Sequence, residues 1–293
     1  MATTAQWVEG ARPRTLPAAI SPVVAGTGVA IYADGLVWWK ALLALLVALA
    51  LQVAVNYAND YSDGVKGTDD NRVGPLRLVG SRSATPGQVK VAAFAGFGIA
   101  AAAGLVLAAT SSWWLLLVGA LAILAAWFYT GGAKPYGYNA LGELSVFVFF
   151  GLVAVLGTAY VQVGHLGDGV GWVACGIGAL ACSILVANNL RDIPTDDVSG
   201  KRTLAVVMGD GASRELFASL QTAAFAFAVV VGFTVTWWVL LAALALPFAW
   251  RAQTVVRRGV TGPELIPVLR DAGLTELVYA VGLFAGYLVA SLT

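Results

Sequence analysis

The sequence predicts an all-α, polytopic membrane protein, and three observations carry that prediction. Of its 293 residues 59% are hydrophobic and only 11% charged, against roughly 25% charged in a soluble globular chain. The apolar residues gather into runs long enough for a bilayer core, which needs about 20 per helix. The basic residues, finally, alternate between the gaps as cytoplasmic loops would place them.

Nine spans follow in order. The first, 16–32, comes after Arg12 and Arg14, and the second, 37–60, opens on Trp38 and Trp39. The third, 88–109, and fourth, 113–130, are separated by a very short turn near Ser111 and Ser112, with Trp113 and Trp114 at its far side. The fifth and sixth are 141–163 and 170–190. The seventh, 214–232, and eighth, 234–250, meet near Thr234, with Trp237 and Trp238 beside it, and the ninth is 273–292. The tryptophan pairs fall at one set of span ends, as an interfacial aromatic belt would. With the N-terminus inside, Lys40 alone of the 17 Lys and Arg falls outside. This orientation puts the C-terminus outside and the N-terminus in the cytoplasm, in a multi-pass protein of the cell membrane forming a single transmembrane domain over 1–293. The first 15 residues contain Arg12 and Pro13 and no apolar core, so no cleavable signal peptide is expected. Cys175 and Cys182, within one apolar helix, read as packing residues, and His165 as a loop residue.

Two polar clusters interrupt this pattern at span ends: Asn56, Asn59, Asp60 and Asp63 in NYANDYSD, and Asn188, Asn189, Arg191, Asp192, Asp196 and Asp197 in NNLRDIPTDD. A carboxylate at the edge of hydrocarbon is costly and marks a functional site. At about 100° per residue Asn56, Asp60 and Asp63 share one helix stripe, while Asp192 and Asp196 lie about 40° apart if the helix continues past Pro194, which a proline makes doubtful. A single acid at a helix end is usually a cap or an interfacial residue. Two clusters on one side, each containing N-x-x-x-D and mixing amides with acids, favour a shared site.

Clustered like charges need a counter-ion, and Mg²⁺ suits carboxylates that leave room for water and phosphate oxygens. The expected metal ligands are Asp60, Asp63, Asp192 and Asp196. Lys66, Arg72 and Arg77 follow the first cluster in VKGTDDNRVGPLR, and Lys201 and Arg202 follow the second in SGKRT, where they would neutralise phosphate. Arg251, Arg257 and Arg258 read as ordinary cytoplasmic charges. The stretch 61–87, with Gly74 and Pro75, is long for a plain connection and reads as a shaped functional loop.

NDYSD with its downstream R-x-G-P-x-R, the block YTGGAKPYGYNALGE and the stretch NNLRDIPTDDVSGKRTLAVVMG together resemble the UbiA superfamily of intramembrane prenyltransferases, and within it the branch acting on 1,4-dihydroxy-2-naphthoate in menaquinone synthesis. The similarity extends over essentially the whole chain. It implies nine helices around a central cavity, a polyprenyl diphosphate bound through Mg²⁺, and transfer of its prenyl group to the naphthoate with loss of the carboxylate, giving demethylmenaquinone. It further implies that Tyr129 and Lys134 match the superfamily's tyrosine and lysine pair. One departure stands out: the last acid of N-D-x-x-D-x-x-x-D is Gly67 here, with Asp69 two residues later as a candidate substitute.

Glu143, just inside the fifth span, needs a partner, and Lys134 is the obvious local one. Arg14 could reach the acceptor carboxylate or the diphosphate. Asn56, Asn59, Asn188 and Arg191 complete the expected substrate contacts. A superfamily member with another acceptor, such as 4-hydroxybenzoate, would share the metal half of this chemistry. A transporter is the competing class, but the acids gather at one face and none is expected at mid-span, which disfavours an ion path across the bilayer.

Overall fold

The computed structural model describes residues 2–68 and 76–293, and among them it is helical, without a named strand. A short helix α1 (Thr4–Gly10) leads through Pro13–Thr15 into α2 (Pro17–Tyr32), the two parts meeting at 49°. There follow α3 (Trp38–Lys66), α4 (Pro86–Thr110), the short α5 (Leu115–Phe128), α6 (Gly142–Val163), α7 (Val170–Val198), α8 (Leu204–Met208), α9 (Asp210–Thr234), α10 (Trp237–Arg257) and α11 (Gly262–Leu292). Seven of these are long and apolar enough to cross a membrane, and the bent pair of α1 and α2 would make eight. The expected span at 113–130 appears as α5, whose 14 helical residues fall short of a full bilayer crossing.

Two boundaries differ from the sequence reading in a way that matters for the site. Helix α3 runs to Lys66 and α7 to Val198, so both acidic clusters are helical and not in loops. Pro194 does not stop α7. Helix α11 starts well before residue 273, which places Glu276 as its fifteenth residue of 31, fully buried. The expectation of no ionisable group at mid-span is corrected here, because the pattern of apolar residues understated the helix.

Packing relies on small residues, as apolar solvent gives helices no hydrophobic reason to associate and close approach must supply dispersion contacts. Where α6 crosses α7, a Cβ on Gly151 would meet the Gly178 Cα at 2.6 Å. Where α11 crosses α10, one on Gly286 would collide with the Trp238 carbonyl. The main core gathers Val29, Val155, Ile177, Leu180, Tyr279 and Leu283 from α2, α6, α7 and α11. Within α6 the segment Phe147–Val153 is π-helical, a widening frequent beside functional sites. Trp38, Trp113, Trp114, Trp237 and Trp238 are exposed, as belt residues would be. Lys40, the exception in the charge pattern, donates to the Thr110 carbonyl at 2.9 Å and the Val161 carbonyl at 2.7 Å. It thereby satisfies carbonyls left over at two helix ends.

Candidate functional site

The helices enclose a cavity of about 900 Å³, and one end of it is polar. Asn59 and Asp63 reach it from α3, and Asn188, Asp192 and Asp196 from α7. Helical continuation through Pro194 brings the second pair to one wall. Tyr129, Thr130, Tyr136 and Tyr138 enter from the connection between α5 and α6, and Arg77 and Lys201 from two further loops. The walls beyond are apolar, including Val47, Leu51, Val118, Phe149, Phe150 and Val153.

Asp63 is the hub. It is 3% exposed, and its carboxylate accepts from Lys201 Nζ at 3.1 Å, from the Tyr138 hydroxyl at 2.5 Å, and faces an Arg77 nitrogen at 3.7 Å. Two ammonium groups approach the Tyr138 ring, with Lys66 Nζ 5.0 Å and Lys201 Nζ 5.1 Å from its centre, contacts favoured by the ring quadrupole. Two backbone hydrogen bonds hold these loops together. Arg202 N donates to the Tyr138 carbonyl at 3.1 Å, and Ala140 N to the Arg202 carbonyl at 2.9 Å. Tyr138 and Lys201 are thus placed by a short bridge between Asn139 and Arg202.

On α7, Arg191 forms a two-pronged pair with Asp192, both contacts 2.7 Å, and reaches the Asn188 side-chain oxygen at 2.8 Å. Asn189 donates to Glu143 Oε1 at 2.9 Å, and Cys182 Sγ to the Glu143 carbonyl at 3.1 Å. The other Glu143 oxygen is buried with no hydrogen-bond partner among the described residues. Tyr129 and Tyr136 meet edge to face at 5.5 Å. The Tyr136 hydroxyl donates to the Ala125 carbonyl at 2.8 Å, and burial raises its pKa above the ordinary phenol value.

Several expected residues take other places. Asp60 does not line the cavity: it is 1% exposed, and its two oxygens accept the Leu78 and Val79 amides at 2.7 and 3.0 Å, fixing the loop before α4. Asn56 donates to the Ala11 carbonyl at 2.9 Å and the Thr15 hydroxyl at 3.1 Å, tying α3 to the N-terminal bend. Lys66 is exposed and bonds the Thr130 carbonyl at 2.7 Å. Lys134 is exposed and off the cavity, so the expected Glu143–Lys134 pairing is corrected to Glu143–Asn189. Arg202 is exposed and takes part through its backbone. Arg14 lines the cavity from an exposed position. Arg72 and Asp69, with Gly74 and Pro75, lie outside the described residues.

Sequence reasoning passed over Tyr138, Thr130 and Arg12. Tyr138 stands in the same block as Tyr129, but nothing in the spacing separates the tyrosine that touches Asp63 from its neighbours. Thr130 donates to the Asn59 side-chain oxygen at 2.8 Å.

Carboxylate and amide oxygens face the cavity from α3 and α7, the chemistry of a hard cation such as Mg²⁺. Among the described residues no three acidic, histidine or cysteine side chains stand close enough to hold a metal unaided. A cation there must complete its shell with water or ligand oxygens.

Residues 19–263 match the UbiA prenyltransferase family. The chain is 59% identical over 282 residues to a protein of Mycobacterium tuberculosis named 1,4-dihydroxy-2-naphthoate octaprenyltransferase, covering 96% of each. It is 36% identical over 301 residues to the Escherichia coli protein of the same name, again covering 96% of each. Among solved structures, a UbiA homolog from Archaeoglobus fulgidus bound to DMAPP and Mg²⁺ shares the fold with a TM-score of 0.68 at 15% identity, covering 96% of this chain and 99% of that one. The apo UbiA homolog from Aeropyrum pernix K1 does so with a TM-score of 0.71 at 16% identity, covering 90% and 96%. The acid-bearing helix pair, the cavity between them and the match across the chain lead to one conclusion: this integral multi-pass membrane protein belongs to the UbiA prenyltransferase family.

Proposed function

We propose that this protein transfers a polyprenyl group from a polyprenyl diphosphate to 1,4-dihydroxy-2-naphthoate with loss of the carboxylate, giving the quinol form of demethylmenaquinone. The single observation that carries the reading is the cavity, which joins Asp63 of α3 to Asp192 and Asp196 of α7 at a polar end and continues between apolar walls. A diphosphate with a long hydrocarbon tail has that same division. The names of the relatives from Mycobacterium tuberculosis and Escherichia coli supply the acceptor. The cation pattern supports a cytoplasmic N-terminus and a site opening to the cytoplasmic side, and the whole chain acts as a single transmembrane domain.

Asp63, Asp192 and Asp196, with Asn59 and Asn188, would hold Mg²⁺. Bound there, it offsets negative charge developing on the departing diphosphate. Lys201 and Arg77 neutralise Asp63 in the absence of substrate and turn to phosphate oxygens when these arrive, so the acids are never left uncompensated. Tyr138 keeps Asp63 oriented through its hydroxyl. The allylic carbon–oxygen bond breaks with its electron pair going to the diphosphate. Tyr129 and Tyr136 face the allyl cation with ring electrons, and the apolar walls keep water from capturing it. The naphthoate ring carbon bearing the carboxylate attacks, and loss of CO₂ returns an electron pair to the ring. No separate base has to remove a proton from that carbon.

The test is product formation by purified protein with Mg²⁺ and a polyprenyl diphosphate, offered 1,4-dihydroxy-2-naphthoate or 4-hydroxybenzoate. Demethylmenaquinol, read as demethylmenaquinone after oxidation in air, and CO₂ from the first acceptor are expected. Product from 4-hydroxybenzoate alone would move the protein to another acceptor class, and solute movement without diphosphate release would make it a transporter.

A further inference from the structure

We infer that the guanidinium of Arg12 is the anchor for the carboxylate of the aromatic acceptor, an assignment that rests on the reaction proposed above. Arg12 lies between α1 and Pro13–Thr15 with φ 55° and ψ 68°, a left-handed conformation in a residue that is not glycine. Such backbone is costly and persists only where its surroundings enforce it. They do so here: Asn56 holds the Ala11 carbonyl at 2.9 Å, Gln52 holds the Thr15 hydroxyl at 2.7 Å, and the Thr15 hydroxyl donates to the Arg12 carbonyl at 2.9 Å. Two polar side chains of α3 thus fix the bend on either side of Arg12.

The side chain so placed lines the cavity, and one of its terminal nitrogens is buried with no hydrogen-bond partner among the described residues. A buried guanidinium N–H left unpaired is expensive. The nearest acid in sequence, Glu9, instead accepts the Leu76 amide at 3.2 Å. Three other cations of the cavity face acids: Lys201 and Arg77 face Asp63, and Arg191 faces Asp192. Arg12 is therefore suited to an anion that arrives with the substrate, and its planar fork matches a carboxylate.

Position separates the two substrate anions. The bend carrying Arg12 is tied to α3 at Gln52 and Asn56, and Asn56 lies seven residues before Asp63, or about 10 Å along the helix. A diphosphate at Asp63 and a carboxylate at Arg12 would therefore meet different parts of the cavity, with the reacting carbons between them. Arg14, expected from sequence to serve here, is exposed.

The experiment compares full-length wild type with Arg12→Asn, which removes the charge while tolerating left-handed backbone, and Arg12→Lys, which keeps it. For Arg12→Asn the KM for 1,4-dihydroxy-2-naphthoate is expected to rise at least tenfold, with the KM for polyprenyl diphosphate within twofold of wild type and Arg12→Lys falling between. Inhibition by 1-hydroxy-2-naphthoate should weaken to the same degree, and inhibition by 1-naphthol, which lacks the carboxylate, should not change. An unaltered acceptor KM, a rise in the diphosphate KM instead, or equal weakening of both inhibitors would overturn the assignment. Wild-type protein that prenylates no dihydroxynaphthoate would instead sink the proposed reaction, so the two failures are distinguishable.

Discussion

Tyr138→Phe removes one atom from the hub of the site and leaves everything else in place. The lost hydroxyl donates to Asp63, a carboxylate 3% exposed, and a hydrogen bond to a charged group contributes about 1.5–3 kcal/mol. At about 1.4 kcal/mol per tenfold in rate, kcat/KM should fall roughly 10- to 150-fold if Asp63 must hold its orientation while the allylic bond breaks. The phenylalanine ring keeps its place beside Lys66 and Lys201, so those contacts, each on the order of 0.5–1 kcal/mol, survive. The thermal midpoint should fall by only a few degrees. Tyr138→Leu, which also removes the ring, should lose both activity and thermal stability. The assay is steady-state prenyl transfer in detergent over a range of Mg²⁺ concentrations, with a thermal melt of each variant. A Tyr138→Phe enzyme within twofold of wild type at every Mg²⁺ concentration would show that Asp63 does not depend on this hydroxyl, and the hub would have to be abandoned.

Other outcomes follow from the same geometry. Asp60→Asn replaces one of two acceptors for the Leu78 and Val79 amides with a donor, so it should destabilise the protein by about 1–3 kcal/mol and speed hydrogen exchange at those amides; unchanged exchange would contradict the loop-fixing role. Lys201→Ala leaves Asp63 without its closest cation and should reduce turnover at least a hundredfold, whereas Lys134→Ala, at an exposed position off the cavity, should stay within twofold. A comparable loss at Lys134 would return it to the site. Glu276→Leu removes a carboxyl that is fully buried with neither oxygen hydrogen-bonded among the described residues; it should raise the melting temperature without affecting prenyl transfer, and a marked fall would reveal a partner for that carboxyl.

The fold class was legible because bilayer length and charge asymmetry are coarse signals that survive errors of several residues. Boundaries were less so: α3 and α7 run on to Lys66 and Val198 because polar residues facing a protein cavity need not end a helix, although they end a hydrophobic run. The early start of α11 escaped for the same reason, whereas α5 is shorter than its hydrophobic run. At the site, sequence put Asp63, Asp192 and Asp196 in one neighbourhood, and the cavity brings them together. It could not assign Asp60 to the loop amides, since its side chain shares the Asp63 stripe and the difference lies in what packs against each. Tyr138 and Arg12 depend on backbone placement, a loop bridge in one instance and a left-handed bend in the other, and no spacing rule reports either.

The central claim is that acids from α3 and α7 hold the diphosphate of a prenyl donor through divalent metal. It is tested most directly by a structure of this protein with a non-reactive thiolodiphosphate analogue and Mn²⁺ in place of Mg²⁺, read by anomalous scattering. Metal peaks are expected at the polar end of the cavity, bridging the analogue to Asp63 on one side and to Asp192 or Asp196 on the other. An analogue seated there without metal, or metal bound away from both helices, would contradict it.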